Sequence, residues 1–288
     1  MIIDTAKMTT LITGGTGKTG LILAKLLATA GRPALLTSRK GEAPAPFNAV
    51  KFDWFDRSTF ENPFKADSTI DQVYIIGPQG LNPGPIAKPF IDLAIAKGVK
   101  RFVLLGGSHQ TSDGPAAGQI QKTLEESGVD YAVLKATWFQ ENFGTNFLHG
   151  IRENNEVYSC MGDGLAPFVS TRDIAQAAFD CLTAENLGKQ EILVLGPELL
   201  TYDDAAKMLS SVLGREITHK KLTPEQVKSI FTRVGLPEDF ASFLVSLQQV
   251  TAGGKDKELF ENDDPKKVIG KHSLLEYFKE NRELWVKA

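Results

Sequence analysis

The chain has 288 residues, of which 42% are hydrophobic, and a formal net charge of −3, which predicts a globular protein with a sizeable core and one catalytic unit. The nearly balanced charges and the lack of a long basic stripe argue against nucleic acid as a partner. No apolar run approaches the roughly 20 residues that cross a bilayer, and the start "MIIDTAKMTT" lacks a signal-peptide core, so we expect a cytoplasmic protein that does not bind a membrane.

The first predicted elements are a strand, a glycine-rich turn and a helix. They follow Met8, a candidate for the original start, with residues 1–7 as a loose extension. Residues 9–13 read "TTLIT", a short run typical of a strand, and residues 20–31 read "GLILAKLLATAG", with helical spacing. The turn between them reads "TGGTGKTG" at residues 13–20.

The glycines of this turn predict a dinucleotide site. Gly14, Gly17 and Gly20 have the spacing that gives a tight turn, close approach of a pyrophosphate and packing of the helix on the strand. The closing Gly-Lys-Thr also matches a P-loop, but that motif needs a glycine where this chain has Ile12. We therefore predict that a dinucleotide pyrophosphate lies at the N-terminus of the first helix.

The second predicted strand, "ALLTSRK" at residues 34–40, determines which dinucleotide is expected. A site for NAD has an acidic residue at this strand end for the ribose 2′-OH, whereas this chain has Ser38, Arg39 and Lys40. Two cations suit a 2′-phosphate, so NADPH or NADP is the predicted cofactor. The alternative is an ordinary solvated loop. Asp53, after "AVKF" at residues 49–52, is predicted to meet the adenine edge.

Strands and helices continue to alternate after Asp53. We predict strands at 72–78, 101–108 and in the first half of 130–143, with helices at 86–97 and 116–127. This order predicts an α/β, Rossmann-type, doubly wound parallel sheet, in which ligands bind beyond the carboxyl ends of the strands. The predicted cofactor-binding residues are Gly14, Gly15, Thr16, Gly17, Lys18, Thr19, Gly20, Ser38, Arg39, Lys40, Asp53, Gly77, Pro78, Gly106, Gly107, Thr137 and Phe139.

The remainder of the chain is predicted to be mainly helical. We expect a helix to about residue 153, a strand at 156–160, a helix after "VSTRDIA" and a strand at 191–197. Further helices are predicted near 201–213, 223–234, 237–251 and 273–285. The predicted domains are an NADP-binding domain at 1–155, which also receives about 166–197, and a smaller, mainly helical substrate-binding lobe at 198–288. The charged run at 263–267 is interpreted as a solvated face.

Cysteine and histidine usage predicts neither disulfides nor a metal site. The chain has two cysteines, Cys160 and Cys181, and four scattered histidines without metal-ligand spacing.

Several of these segments together resemble the NmrA-like atypical short-chain dehydrogenase/reductases. They are "TGGTGKTG", "SRK", "RFVLLGGS", "LEESGVDYAVLKATWFQENF" and "FVSTRDIA". Within that group, "ATWFQENF" at 136–143 and residues 195–219 resemble the fungal ergot-alkaloid reductases, the festuclavine and agroclavine dehydrogenases. The resemblance implies that NADPH delivers hydride to a cyclic iminium formed from an aldehyde and a secondary amine.

The chain departs from its relatives at two places. Lys135-Ala136 stands where relatives usually have Arg-Pro, and Asp113 and Ala117 stand where ordinary short-chain dehydrogenases have the tyrosine and lysine of Tyr-x-x-x-Lys. Hydride addition to a ketone creates an alkoxide that needs such an acid, whereas addition to an iminium gives a neutral amine. The missing pair favours imine over carbonyl chemistry, and it equally suits a protein that catalyses no redox step.

The loop after the fifth strand supplies three candidate catalytic residues. Ser108 is a candidate substrate-facing hydroxyl, with a loop cap as the alternative. His109 titrates near neutrality and is a candidate acid or base. Asp113 is a candidate partner for a cationic substrate or a base for cyclisation, although most loop aspartates do neither.

Four further side chains are candidates for the substrate pocket. Trp138, also a catalytic candidate, and Phe139 follow the sixth strand, where an aromatic face would stabilise an iminium by cation–π attraction. Core packing is the competing interpretation. Tyr158 and Met161 are candidates for the far wall of the pocket.

The leading functional hypothesis is an NADPH-dependent oxidoreductase acting on a CH-NH or C=N group in alkaloid secondary metabolism. Its partner would be a small molecule, an alkaloid-type iminium or an amino-aldehyde, and a homodimer is left open. One alternative is a Pictet-Spengler-type cyclase that keeps the cofactor. The other is a non-catalytic redox sensor that binds NADP and contacts a transcription factor.

Overall fold

The computed structural model describes residues 8–287, so the predicted extension at 1–7 lies outside the described residues. These residues form two compact units, the first from 8–135 and 174–193 and the second from 136–173 and 194–287. The first segment of the first unit therefore ends at residue 135, whereas the sequence predicts the end of the first domain at residue 155. Among the described residues, no helix is long and apolar enough to cross a membrane.

The strands lie close to the predicted positions in the first half of the chain. Their bounds are Thr9–Ile12 (β1), Ala34–Ser38 (β2), Ala49–Lys51 (β3), Ile70–Ile75 (β4), Arg101–Gly107 (β5), Asp130–Ala136 (β6), Glu156–Ser159 (β7), Lys189–Leu195 (β8), Thr218–Lys221 (β9) and Lys267–Ile269 (β10).

The α-helices alternate with the strands up to β6 and become more frequent after β8. Their bounds are Gly20–Thr29 (α1), Asn62–Ala66 (α2), Gly84–Ala96 (α3), Ala117–Ser127 (α4), Thr171–Thr183 (α5), Tyr202–Leu213 (α6), Pro224–Arg233 (α7), Glu238–Ala252 (α8), Lys255–Glu261 (α9) and Leu274–Glu280 (α10).

The described strands form a mostly parallel, eight-stranded sheet in the order β10-β8-β6-β5-β4-β1-β2-β3. Strand β1 lies between β2 and β4, with Leu11 opposite Leu35 on one side and Val73 on the other. The chain thus runs outward to β3 and then restarts beside β1 with β4. This reversal is the switch point at which open α/β sheets bind ligands. The predicted Rossmann-type fold is confirmed.

The first unit has a core of strand and helix side chains that excludes water completely at its centre. Leu11, Val73 and Phe102 of the sheet are 0% exposed, as are Phe90 of α3 and Leu124 of α4. Burying each such side chain contributes roughly 1.5–3 kcal/mol relative to leaving it exposed.

An aromatic group anchors the chain that leaves β3. The Phe52 ring lies 4.9 Å from the rings of Trp54 and Phe90 and 5.3 Å from that of Phe60. These contacts fix the backbone around Asp53, a predicted cofactor-binding residue.

The second unit has a separate core and a small sheet of its own. Strands β7 and β9 pair in parallel, with Val157 opposite His219. Phe143, Phe278 and Trp285 of this core are 0% exposed, and the Trp285 indole N–H donates to the carbonyl oxygen of Phe143 at 3.0 Å. Helix α6 begins with a capping box between Thr201 and Asp204, as its sequence favours.

Two predicted helices in the second unit have the wrong bounds, and strand β9 was not predicted. The helix expected to about residue 153 begins only after turns at 143–147 and ends in a short π-helix at Gly150–Asn154, because Gly144, Thr145 and Asn146 are poor helix formers. Helix α10 ends at Glu280, and a 3₁₀ turn then carries Trp285 into the core. Strand β9, read "THKK", lacks apolar alternation and owes its conformation to pairing with β7.

Candidate functional site

The turn after β1 is built so that only glycine fits at its centre. Gly14 has a φ of +59°, a conformation that side chains with a Cβ rarely adopt. A Cβ on Gly15 would lie 2.7 Å from Leu36 Cβ and 2.9 Å from the Ile12 carbonyl oxygen, and one on Gly20 would lie 2.8 Å from the Gly15 carbonyl oxygen. The glycines therefore let β2 and α1 pack directly on the turn.

The exposed part of the turn faces away from the sheet. Thr19 is buried, and its hydroxyl accepts a hydrogen bond from the Tyr74 hydroxyl at 3.1 Å, so this side chain ties the start of α1 to β4. Residues 16, 17 and 18 are exposed. No side chain caps the N-terminus of α1, which suits a helix start whose backbone N–H groups bind an anion.

A cleft of about 690 Å³ follows the end of β2, and it contains the three residues predicted to select the cofactor. The Ser38 hydroxyl donates to the Glu42 carbonyl oxygen at 2.8 Å and accepts from the Glu42 N–H at 2.9 Å, so it shapes the turn. Arg39 and Lys40 are exposed along the cleft. Their positive charges fit a phosphate, whereas an acid that would bind a ribose 2′-OH is missing from the end of β2.

A second cleft, of about 460 Å³, brings together predicted residues from four loops of the first unit. Gly14, Arg39, Asp53, Gly77 and Pro78 all line it. These loops meet because each follows a parallel strand at the same edge of the sheet.

The same cleft has an aromatic wall that sequence patterns did not point to. The Phe55 ring lines it and is 72% exposed, and the Phe55 N–H donates to Asp53 Oδ1 at 3.0 Å. The Trp54 indole N–H donates to the Ile76 carbonyl oxygen at 3.0 Å. Two aromatic residues in succession after the loop aspartate, Trp54 and Phe55, are a signal that could have indicated a base-stacking surface.

The loop after β5 carries Ser108, His109 and Asp113, all within the first unit. The Gly107 N–H donates to Gln110 Oε1 at 3.3 Å, which fixes the start of this loop. The Asp113 side chain is 91% exposed and lies 3.7 Å from the Lys122 ammonium. Such an exposed, weakly paired carboxylate has the ordinary environment of a surface aspartate. The catalytic roles of the three residues stay predictions.

The side chain of Lys135 is engaged within the first unit. Its ammonium lies 2.5 Å from Glu191 Oε2, and the side chain is only 14% exposed.

The chain after β6 is fixed to the rest of the second unit by backbone and side-chain hydrogen bonds. The Thr137 hydroxyl donates to the Pro167 carbonyl oxygen at 2.6 Å, and the Val169 N–H donates to the Trp138 carbonyl oxygen at 2.8 Å. The Trp138 indole N–H donates to Thr251 Oγ1 at 2.9 Å and to Asp256 Oδ2 at 3.1 Å. Trp138 and Phe139 both remain partly exposed.

The two remaining pocket candidates have different environments in the second unit. Tyr158 is half-buried on β7, with its ring 5.4 Å from that of Phe147, and burial raises the pKa of its hydroxyl. Met161 is 1% exposed and belongs to the core of this unit. Their role as a pocket wall stays a prediction.

Comparison with known proteins gives the family of the chain, although no family model matches it. An agroclavine dehydrogenase of Claviceps fusiformis is 38% identical over 288 residues, which cover 97% of this chain and 99% of that protein. A festuclavine dehydrogenase of Aspergillus fumigatus is 37% identical, with 97% of this chain and 100% of that protein covered. The chain belongs to the festuclavine and agroclavine dehydrogenase family.

Solved structures agree with the NmrA-like fold of this clavine dehydrogenase family member. The NADPH-dependent quinone oxidoreductase QOR2 of Escherichia coli, complexed with NADPH, has a TM-score of 0.74 at 20% identity, with 94% of this chain and 99% of that chain covered. Triphenylmethane reductase of Citrobacter sp., complexed with NADP(H), has a TM-score of 0.72 at 18% identity, with 95% and 99% covered. At these identities the likeness shows the fold alone.

Three polar side chains, two of them buried and the third, Asp203, 35% exposed, form a hydrogen-bonded relay in this clavine dehydrogenase family member, and sequence patterns did not point to them. Ser159 Oγ lies 2.9 Å from His219 Nε2, and His219 Nδ1 lies 2.9 Å from Asp203 Oδ1. The order resembles that of a serine hydrolase, but Ser159 and the His219 ring are both 0% exposed. No substrate carbonyl reaches them in this state, so the relay ties β7 and β9 to α6.

This relay predicts a loss of stability in mild acid. Burial lowers the pKa of His219 below its ordinary 6.5, against the opposing effect of Asp203. As the pH falls, His219 is therefore protonated at a higher pH in the unfolded chain than in the folded protein. The free energy of unfolding keeps its full value above pH 6.5 and declines as the pH falls towards the lower folded pKa. We expect the melting temperature to fall between about pH 7.5 and about pH 5.5, and to fall less in a His219→Gln variant.

Differential scanning fluorimetry across this pH range measures the effect. The Asp203 carboxyl does not interfere, because Lys221 and His219 hold its pKa below the ordinary 3.8. Equal slopes of melting temperature against pH in the wild type and in His219→Gln would contradict the assignment to His219.

Proposed function

We propose that this protein is an NADPH-dependent reductase that transfers hydride to the carbon of a cyclic iminium of the alkaloid type, which includes a protonated imine. The observation that carries the proposal is the second cleft of the first unit, where Gly14, Arg39 and Asp53 line one continuous space. Membership of the clavine dehydrogenase family supports an oxidoreductase, and two solved proteins of the same fold were crystallised with NADPH or NADP(H).

The residues of the first unit fit each part of this cofactor. The N-terminus of α1, which no side chain caps, suits the pyrophosphate. The close packing around Gly15 keeps the turn narrow enough for the turn backbone to approach the pyrophosphate. Arg39 and Lys40 suit the 2′-phosphate. Asp53 and the exposed ring of Phe55 suit the edge and face of the adenine. When bound, the cofactor supplies the hydride.

The class of hydride acceptor is inferred from the missing tyrosine acid. When hydride adds to an iminium carbon, the π electron pair of the C=N bond moves to nitrogen and the positive charge disappears. No proton enters in that step, so a tyrosine acid is unnecessary, in agreement with Asp113 and Ala117 at the positions of that pair. The protein has to orient a flat cation and exclude water, and the aromatic side chains of Trp138 and Phe139 are proposed for this task.

Transfer of deuterium tests the proposal directly. The protein is incubated with NADPH deuterated at the transferable position and with an amino-aldehyde or an indole iminium, and the product is analysed by mass spectrometry. We expect deuterium at the former iminium carbon.

The other outcomes separate the alternative functions. A cyclised product without deuterium would show a cyclase, and then Asp113→Asn or His109→Ala should stop cyclisation. No product with any cyclic iminium, together with tight binding of NADP, would show a redox sensor.

A further inference from the structure

The indole of Trp138 is held at its N–H edge by two buried acceptors. Its N–H donates to Thr251 Oγ1 at 2.9 Å and to Asp256 Oδ2 at 3.1 Å, and the Thr251 hydroxyl donates to the same Asp256 oxygen at 2.7 Å. Thr251 and Asp256 are both 0% exposed, whereas Trp138 remains partly exposed. The polar edge of the indole is therefore held by buried atoms, while the residue as a whole remains partly exposed and packs against the core of the second unit.

The two acceptors come from neighbouring helices that a tight turn joins. Thr251 lies in the last turn of α8 and Asp256 in the first turn of α9, and Gly254 between the helices has a φ of +83°. Helix α8 is itself fixed by Gln248, which is 4% exposed and accepts a hydrogen bond from the Cys160 N–H at 2.9 Å. The acceptors are thus held rigidly against Trp138.

A carboxylate acceptor changes what the face of the indole can bind. A hydrogen bond to a carboxylate is stronger than one to a neutral group and polarises its donor, the more so where water is excluded. Electron density that shifts into the ring makes its face more negative, and cation–π attraction depends on that negative face. A neutral ligand of the same shape gains nothing from this polarisation.

We propose that Asp256, together with Thr251, is a positioning residue that orients and polarises Trp138, so that the indole face selects a planar cationic substrate over a neutral one. This inference rests on the proposed function, in which the substrate is an iminium. It adds a determinant of substrate charge located more than one hundred residues from Trp138 in the sequence.

A pair of probes with equal shape and different charge tests the inference. Binding of phenyltrimethylammonium and of its neutral counterpart tert-butylbenzene is measured by calorimetry with the NADP-loaded protein. We expect Asp256→Asn, which keeps an oxygen acceptor but removes the charge, to lower the preference for the cation about 5-fold. Affinity for the neutral probe should stay within about 2-fold, because the shape of the site is retained.

Matched variants guard against a merely structural explanation. Thr251→Val should lower the cation preference and Thr251→Ser should restore it, because only the serine keeps the hydroxyl that accepts from the Trp138 N–H at 2.9 Å and donates to Asp256, whereas the direct bond from Trp138 to Asp256 is longer, at 3.1 Å. Asp263→Asn, at an exposed position after α9, should leave both affinities unchanged. If Asp256→Asn does not fold, the Thr251 pair carries the test.

Two results would overturn the inference. One is equal weakening of both probes by Asp256→Asn and Thr251→Val, which would show a packing role. The other is an unchanged cation preference in both variants. If either result is found while the wild type transfers deuterium, the proposed reductase function stands and only this inference fails. If the wild type transfers no deuterium but the cation preference changes as expected, only the reductase function is rejected.

Discussion

An Arg39→Ala, Lys40→Ala double variant is expected to bind NADPH about 100-fold more weakly than the wild type, and NADH almost as well as the wild type does. Hydrogen bonds to charged groups contribute about 1.5–3 kcal/mol each, and the two cations that line the cleft after β2 are the ones proposed to bind the 2′-phosphate. NADH lacks that phosphate, so the substitutions remove no contact that NADH makes. Titration of each cofactor by fluorescence or calorimetry measures the difference.

Glu42→Gln is the control for this prediction, because Glu42 lines the same cleft with the opposite charge. Removing this negative charge should leave the affinity for NADPH unchanged or raise it. Equal weakening of NADPH and NADH by the double variant would mean that Arg39 and Lys40 shape the loop and do not bind the phosphate.

A Gly15→Ala variant is expected to lose at least about 10-fold in NADPH affinity and to melt at a lower temperature. The new Cβ would lie 2.7 Å from Leu36 Cβ and 2.9 Å from the Ile12 carbonyl oxygen. Backbone cannot yield as a flexible side chain does, so the turn must shift, at a cost of about 1–3 kcal/mol. The shift moves the N–H groups that are proposed to bind the pyrophosphate.

The control for Gly15→Ala is Gly253→Ala, after α8. Gly253 has a φ of −75°, and a Cβ there would come no closer than 3.4 Å to its neighbours, so alanine fits without strain. Binding is measured by titration and stability by calorimetry. Wild-type affinity and melting temperature in Gly15→Ala would show that β2 can move aside, and the close-packing argument would fail.

The order of elements in the first unit could be predicted because its signals are local. The "TTLIT" strand, the glycine spacing and the helical run after it lie within neighbouring residues, and β1 and α1 occur where these patterns place them. Parallel strands then bring the loops that follow them to one edge, which is why Gly14, Arg39 and Asp53 line one cleft.

The second unit was harder to predict because its conformation depends on partners far along the chain. Strand β9 has no apolar alternation and forms by pairing with β7. Residues 143–147 form turns, where a helix was expected, as Phe143 and Phe147 enter the core. Tertiary packing overrides weak local propensity in such segments.

The sequence by itself determined the α/β class, because this follows from periodicity and the order of the elements, and it indicated the family through the segments that resemble it. It also predicted the loops that are proposed to bind the cofactor, because parallel strands bring the loops after them to one edge. Only the tertiary structure decided what Trp138 and His219 do. Asp256 holds the indole of Trp138, and Ser159 and Asp203 hold the ring of His219. Hydrogen bonds between residues so distant in sequence exist only once the packing of the second unit has brought their side chains together, and no local pattern records them.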